Sequence, residues 1–152
     1  MRSTIPIQVS SGCVVASIQI DLSEELLNSF REELLNFCAG IDLNGIILDL
    51  SGQRIMDDRD FLNLRKIVDS AKIMGYPTVL CGFNPEVVAS LVLLDVDLEG
   101  VVASKNIDDA LLALTPTEKN VDNESLEEFD NEFHESKLES ESFKQENGEN
   151  FS

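Results

Sequence analysis

A chain of 152 residues with 43% hydrophobic side chains has the material for one domain of ordinary size with a real core, rather than for two. Its formal net charge of −18 and pI near 4.1 oppose approach to nucleic-acid phosphates or anionic membranes, where steering and counterion release both need positive charge. Acidity of this kind points to protein partners or to solubility, with no nucleic acid and no membrane among the expected partners. No apolar run approaches the ~18 residues of a membrane span. Met1-Arg2-Ser3-Thr4 leads into Ile-Pro-Ile without the apolar core of a secretory signal, so the expected location is cytoplasmic. Cys13, Cys38 and Cys81 are odd in number and fall in apolar stretches, as reduced buried thiols do.

In chain order, Ile5 to Val9 and Cys13 to Ile20 are β-rich runs parted by Ser10-Ser11-Gly12, a composition suited to a tight turn, so the spacing predicts an opening antiparallel hairpin. Asp21-Leu-Ser-Glu24 has the form of a capping box. Beyond it Leu26, Leu27, Phe30, Leu34 and Phe37 recur at helical spacing, with Glu24, Glu25, Arg31, Glu32 and Glu33 on the other face, to a stop near Gly40. Ile46 to Leu50 reads as a strand covered on both faces, closed by Ser51-Gly52. An acidic turn follows, in which Asp57 or Asp58 caps a second helix striped by Phe61, Leu64, Val68, Ala71 and Met74 and stopped by Gly75 and Pro77.

Thr78 to Cys81 is a short strand, and Asn84-Pro85 starts a third helix, asparagine as cap and proline at the first helical position, with Val88, Leu91 and Leu94 or Asp95 following. Leu98 to Ala103 supplies an edge strand, and Asn106 with Asp109 caps a last helix carrying Ala110, Leu111 and Leu114. The order β-β-α-β-α-β-α-β-α predicts an α/β fold, a small mixed sheet with helices packed on it. Composition changes at Thr115-Pro116. From there twelve acidic residues face three basic ones (Lys119, Lys137 and Lys144), a net of 3 − 12 = −9, so residues 1–114 form the expected domain and 115–152 an acidic tail. A segment so poor in apolar surface cannot offset its chain entropy, and disorder is expected of it. Within it Leu126, Phe129 and Phe133 lie at i, i+3 and i+7, a narrow stripe that a partner's groove would convert into a docking helix.

The pattern Leu48-Asp49-Leu50-Ser51, a short loop, Met56-Asp57, one further residue and a helix resembles the STAS domain of bacterial anti-sigma-factor antagonists and stressosome scaffolds. Lys72-Ile73-Met74-Gly75, then Val79-Leu80-Cys81-Gly82-Phe83-Asn84-Pro85, then Asp108-Asp109-Ala110-Leu111 resemble its later elements in order. The likeness runs from about Ile5 to Leu114 and is nearest the small RsbS-like scaffold subunits. It implies a STAS-like fold, a non-catalytic signalling scaffold without cofactors or metals, assembly with other STAS proteins, and partner switching with a serine-protein kinase. The alternative it leaves open is a stand-alone antagonist of an anti-sigma factor. In the family the residue after the aspartate matching Asp57 is usually a phosphorylated serine or threonine; here that residue is Asp58. The resemblance thus implies a partner surface around Asp57, Asp58 and Arg59, with Ser51, Arg54 and Asn84 beside it. Arg54 and Arg59 flank the acidic pair and suggest exposed ion pairs of little energy, ~0 to 1 kcal/mol; with Arg65 and Lys66 they hold half of the eight basic residues before Thr115, a concentration suited to an acidic partner helix or to the chain's own tail.

Other chemistries fit less well. Adjacent carboxylates such as Asp57 and Asp58 can divide acid and base roles or bind a hard metal, which keeps a small carboxylate-based or metal-dependent enzyme as a third reading. Neighbours at a helix start diverge, however, and the one histidine, His134, is in the tail. A serine hydrolase lacks its histidine and its nucleophile elbow, and neither common glycine-rich phosphate loop is present. A receiver domain would place its acidic pair after the first strand, earlier than Asp57 and Asp58 come.

Overall fold

The computed structural model describes residues 5–116. The stripe of Leu126, Phe129 and Phe133 and the expected disorder of the acidic tail therefore lie outside the described residues.

The elements are β1 (Ile7–Ser10), β2 (Cys13–Ser17), α1 (Glu24–Cys38), β3 (Gly45–Asp49), α2 (Asp58–Ile73), β4 (Thr78–Cys81), α3 (Pro85–Leu93), β5 (Ala103–Ser104) and α4 (Ile107–Leu114), in the order expected from the sequence. The hairpin turns on Ser11 and Gly12, both at positive φ (50° and 77°), the backbone that lets a two-residue loop follow the twist of its strands. One sheet in the order β1-β2-β3-β4-β5 results, with β1 antiparallel to β2 and every later pair parallel.

Because each parallel strand is added on the same side of its predecessor, crossovers of one hand bring α1, α2 and α3 to the same face. Burial follows the two-residue period of the strands. Val14, Ala16, Ile46, Leu48 and Leu80 pack with Leu27, Phe30, Leu34, Phe61, Leu64 and Ile67 from the helices, while Cys13, Val15, Ile47, Val79 and Cys81 meet Ala110 on the other face, where α4 lies. The central strand β3 is thus buried on both sides, which is why its sequence is apolar without alternation.

Several local expectations are corrected. Ser23, not Asp21, caps α1, its hydroxyl accepting from the Leu26 N–H (3.3 Å). Cys38 takes the buried place expected for Phe37, which is exposed, and Leu26 is half-buried. In α2 Ile67 is buried where Val68 was expected; Val68 is half-buried and Met74 is exposed beyond the helix end. In α3 Val87 is buried and Val88 is exposed, and Leu94 and Asp95, expected to continue the stripe, are exposed beyond the helix end. Adjacent positions are only ~100° apart on a helix, so a stripe read from sequence slips easily by one residue. The edge strand is the two residues Ala103–Ser104 rather than Leu98 to Ala103, which mostly forms the loop before it.

Candidate partner-binding surface

The β2–α1, β3–α2 and β4–α3 loops meet where the parallel strands end, the edge at which open α/β sheets place their functional groups. β3 finishes at Asp49, whose carboxylate accepts from the Ser51 N–H (3.0 Å) and the Ser51 hydroxyl (3.1 Å) and lies 3.5 Å from the Ser17 hydroxyl. Gly82 backs this carboxylate so closely that an added Cβ would sit 2.6 Å from Asp49 Oδ1, and its φ of +75° already favours glycine. Burial, with the Asp49 charge second, pushes the Cys81 thiol up to about 11, so it stays protonated and inert. Cys13 and Cys38 are likewise free and buried, their thiols raised by burial.

Beyond Ser51 the chain is fastened by two amides. Gln53 is buried, and its Nε2 donates to the carbonyls of Ile18 (2.9 Å) and Ile20 (2.8 Å) in the β2–α1 loop. Asn84 occupies the N-cap position of α3, its carbonyl accepting from the Val88 N–H (3.1 Å), but its side chain makes no cap bond; its Nδ2 donates to the carbonyls of Ser51 (3.1 Å) and Gln53 (2.6 Å). The expectation of Asn84 as a side-chain helix cap is therefore corrected: its amide is oriented to tie the β3–α2 turn to the start of α3. Buried Met56 plugs the end of this turn into the core.

α2 then begins at a reciprocal cap. The Asp60 N–H donates to Asp57 Oδ1 (2.8 Å) and the Asp57 N–H donates to Asp60 Oδ2 (3.1 Å). Burial, joined by the Asp57 charge and opposed by the Asp57 N–H, lifts the Asp60 carboxyl above its ordinary value. Asp58 is the first helical residue, exposed, its Oδ1 accepting from the Arg59 N–H (3.0 Å). Asp57 is thus occupied in structure and Asp58 on the surface, and among the described residues no group of three or more His, Cys, Asp or Glu has the arrangement to hold a metal ion.

Arg54 and Arg59 are exposed beside the acidic pair, but among the described residues neither forms an ion pair, which corrects that expectation. The engaged cation is Arg65, one helical turn and a half further along α2. Its guanidinium donates to the carbonyls of Asp97 (2.6 Å) and Glu99 (2.5 Å) and lies 3.8 Å from the Asp97 carboxylate and 4.0 Å from that of Asp69. Sequence reasoning passed over Gln53 and placed Arg65 only in a basic cluster awaiting an acidic partner, since the partners of both are main-chain carbonyls more than thirty residues away, for which no local pattern exists.

The profile of the STAS domain matches residues 4–110. The chain belongs to that family. Among curated proteins, the STAS chain is similar to the RsbT co-antagonist protein RsbRD of Bacillus subtilis (strain 168), 25% identical over 103 residues, which is 68% of this chain and 37% of that one. The chain therefore spans little more than a third of that relative's length. Among solved structures it resembles a serine-to-glutamate variant of Moorella thermoacetica RsbS (29% identity, 80% of this chain and 99% of that one, TM-score 0.62). It also resembles a chain from the molecular architecture of the stressosome, a signal integration and transduction hub (28% identity, 74% of this chain and 100% of that one, TM-score 0.59). The STAS-like fold expected from the sequence is the fold observed. Among the described residues no helix is long and apolar enough to cross a membrane.

Proposed function

We propose that this STAS protein is a non-catalytic scaffold subunit of a stressosome-type complex, which co-assembles with larger STAS proteins and sequesters a serine-protein kinase by partner switching. The observation that carries the reading is the likeness, in sequence and fold together, to RsbS (29% identity, TM-score 0.62) and to a chain of the stressosome (28% identity, TM-score 0.59). The site agrees with such a role. Its carboxylates are spent on a helix cap and a surface position, and its amides on fixing loops, which suits a surface to be recognised rather than one that makes bonds.

In this reading Asp58 stands at the phosphoacceptor position, and Asp57, Arg59, Ser51, Arg54 and Asn84 shape or flank the surface the partner meets. A carboxylate brings a charge of −1 where a phosphate brings about −1.5 to −2 with three acceptor oxygens, so Asp58 imitates the phosphorylated state in part and cannot be reset by a kinase. The test replaces it with the acceptor. Asp58→Ser should take phosphate from the complex's kinase and bind that kinase more tightly before phosphorylation than after. A serine that incorporates no phosphate and leaves kinase binding unchanged would remove the reading of Asp58 as a fixed imitation of the phosphorylated state.

A further inference from the structure

A helix that is apolar on every side belongs in an interior, yet α3 (Pro85–Leu93) has only Glu86 and Ser90 as polar side chains and leaves Val92 65% and Leu93 85% exposed. Its end meets the start of α2 across a hollow whose walls include Leu62 and Leu94, 53% and 51% exposed, and Asp58, Asp95 and Asp97. The one cation in that wall, Arg65, is already held by Asp69, Asp97 and two carbonyls. Among the described residues Asp58 and Asp95 have no ion-pair partner. The unpaired cations Arg59 and Lys66 line a neighbouring hollow with Glu24, Asp57 and Asp60, beside Leu22 and Ser23 at the start of α1, and Leu62 borders both hollows. On the α2–α3 side the exposed leucines thus face unbalanced carboxylates and no free cation of that wall.

We infer that the hollow between the start of α2 and the end of α3 docks a cationic amphipathic helix of a partner protein, its leucine-like side chains seated on Leu62 and Leu94 and its lysines or arginines facing Asp58 and Asp95. The charge decides the occupant. A second copy of this chain would bring its own carboxylates, and an acidic helix would be repelled, whereas a basic one meets a complementary potential that hastens encounter and fixes register. The inference rests on the scaffold reading only in assigning the helix to that complex; the surface chemistry stands without it.

The test uses the full chain and a labelled peptide of about 20 residues, leucine at i, i+4 and i+7 with lysine elsewhere, beside a counterpart with glutamate for lysine, followed by fluorescence anisotropy. The lysine peptide should bind and the glutamate peptide should not. Leu62→Ala and Leu94→Ala, both at exposed positions, should each weaken binding about fivefold. The double change Asp58→Asn with Asp95→Asn should weaken it about tenfold in dilute buffer and less than twofold at about 0.5 M salt; asparagine tolerates the φ of 52° that Asp95 adopts. Equal binding of the two peptides, or affinity unmoved by all three variants, would overturn the inference. If the complex's kinase binds but the lysine peptide's affinity ignores the variants, the docking site falls while the scaffold reading stands. If the lysine peptide binds as described but neither the kinase nor a larger STAS protein does, the scaffold reading falls alone.

Discussion

The turn from Ser51 to Asp57 and the loop from Leu94 to Val102 sit on either side of the start of α2, and they are built in opposite ways. The turn is pinned from three directions by Gln53, Asn84 and the Asp57–Asp60 cap, and its anchor Met56 is buried. The loop, by contrast, takes its side-chain ties to α2 from Arg65 alone among the described residues and leaves Leu94, Leu98 and Val102 exposed. Polar groups buried with their partners give rigidity; apolar groups left in water are unfinished contact surface. The chain thus fixes the anionic knuckle at the head of α2 and leaves apolar side chains exposed next to it.

Breaking the rigid half should have the largest effect. Gln53→Ala removes both bonds to the β2–α1 loop and leaves the Ile18 and Ile20 carbonyls unpaired, an expected loss of about 2 to 3 kcal/mol in urea unfolding. Arg65→Met keeps much of the aliphatic bulk but drops the charged bonds to the loop, with an expected loss of about 1 to 2 kcal/mol and faster amide exchange over residues 95–101. A loss equal to that of Gln53→Ala, with no change in exchange, would mean that the loop is not a separately held region. Asp57→Ala should cost about 1 kcal/mol through the cap, whereas Asp58→Asn should shift stability by less than about 0.5 kcal/mol while altering partner binding.

The smallest effect is one of pH. Because the Asp60 carboxyl is raised in the folded protein, the fold holds its proton more tightly than the unfolded chain does. Its contribution is therefore most favourable below the ordinary carboxylate value of about 3.9 and declines as pH rises through the raised folded value. Asp60→Asn should flatten that acid-side slope, checked by thermal melts across the range.

How much of this could be read beforehand follows from range. The order of nine elements was legible because period and punctuation are local: Ser10-Ser11-Gly12 needs no distant partner, nor does the apolar run at Ile46 or the Asn106–Asp109 cap. At the site the same local rules named Asp57 and Asp58 and placed them at a helix start. They misassigned the side chain of Asn84, which sits at the N-cap position but is turned so that its Nδ2 donates to the carbonyls of Ser51 and Gln53 and its oxygen makes no cap bond. The bonds of Gln53 and Arg65 were missed because their partners lie far along the chain, and Leu94, expected on the stripe of α3, is exposed because which side of α3 the sheet occupies is revealed by no window of that helix.

The scaffold claim is tested most directly by sedimentation of the full chain mixed with a larger STAS protein of the same organism. The account predicts a single megadalton species containing both chains, lost when either is omitted. Independent sedimentation of the two, with this chain instead forming a one-to-one complex with an anti-sigma factor, would contradict it.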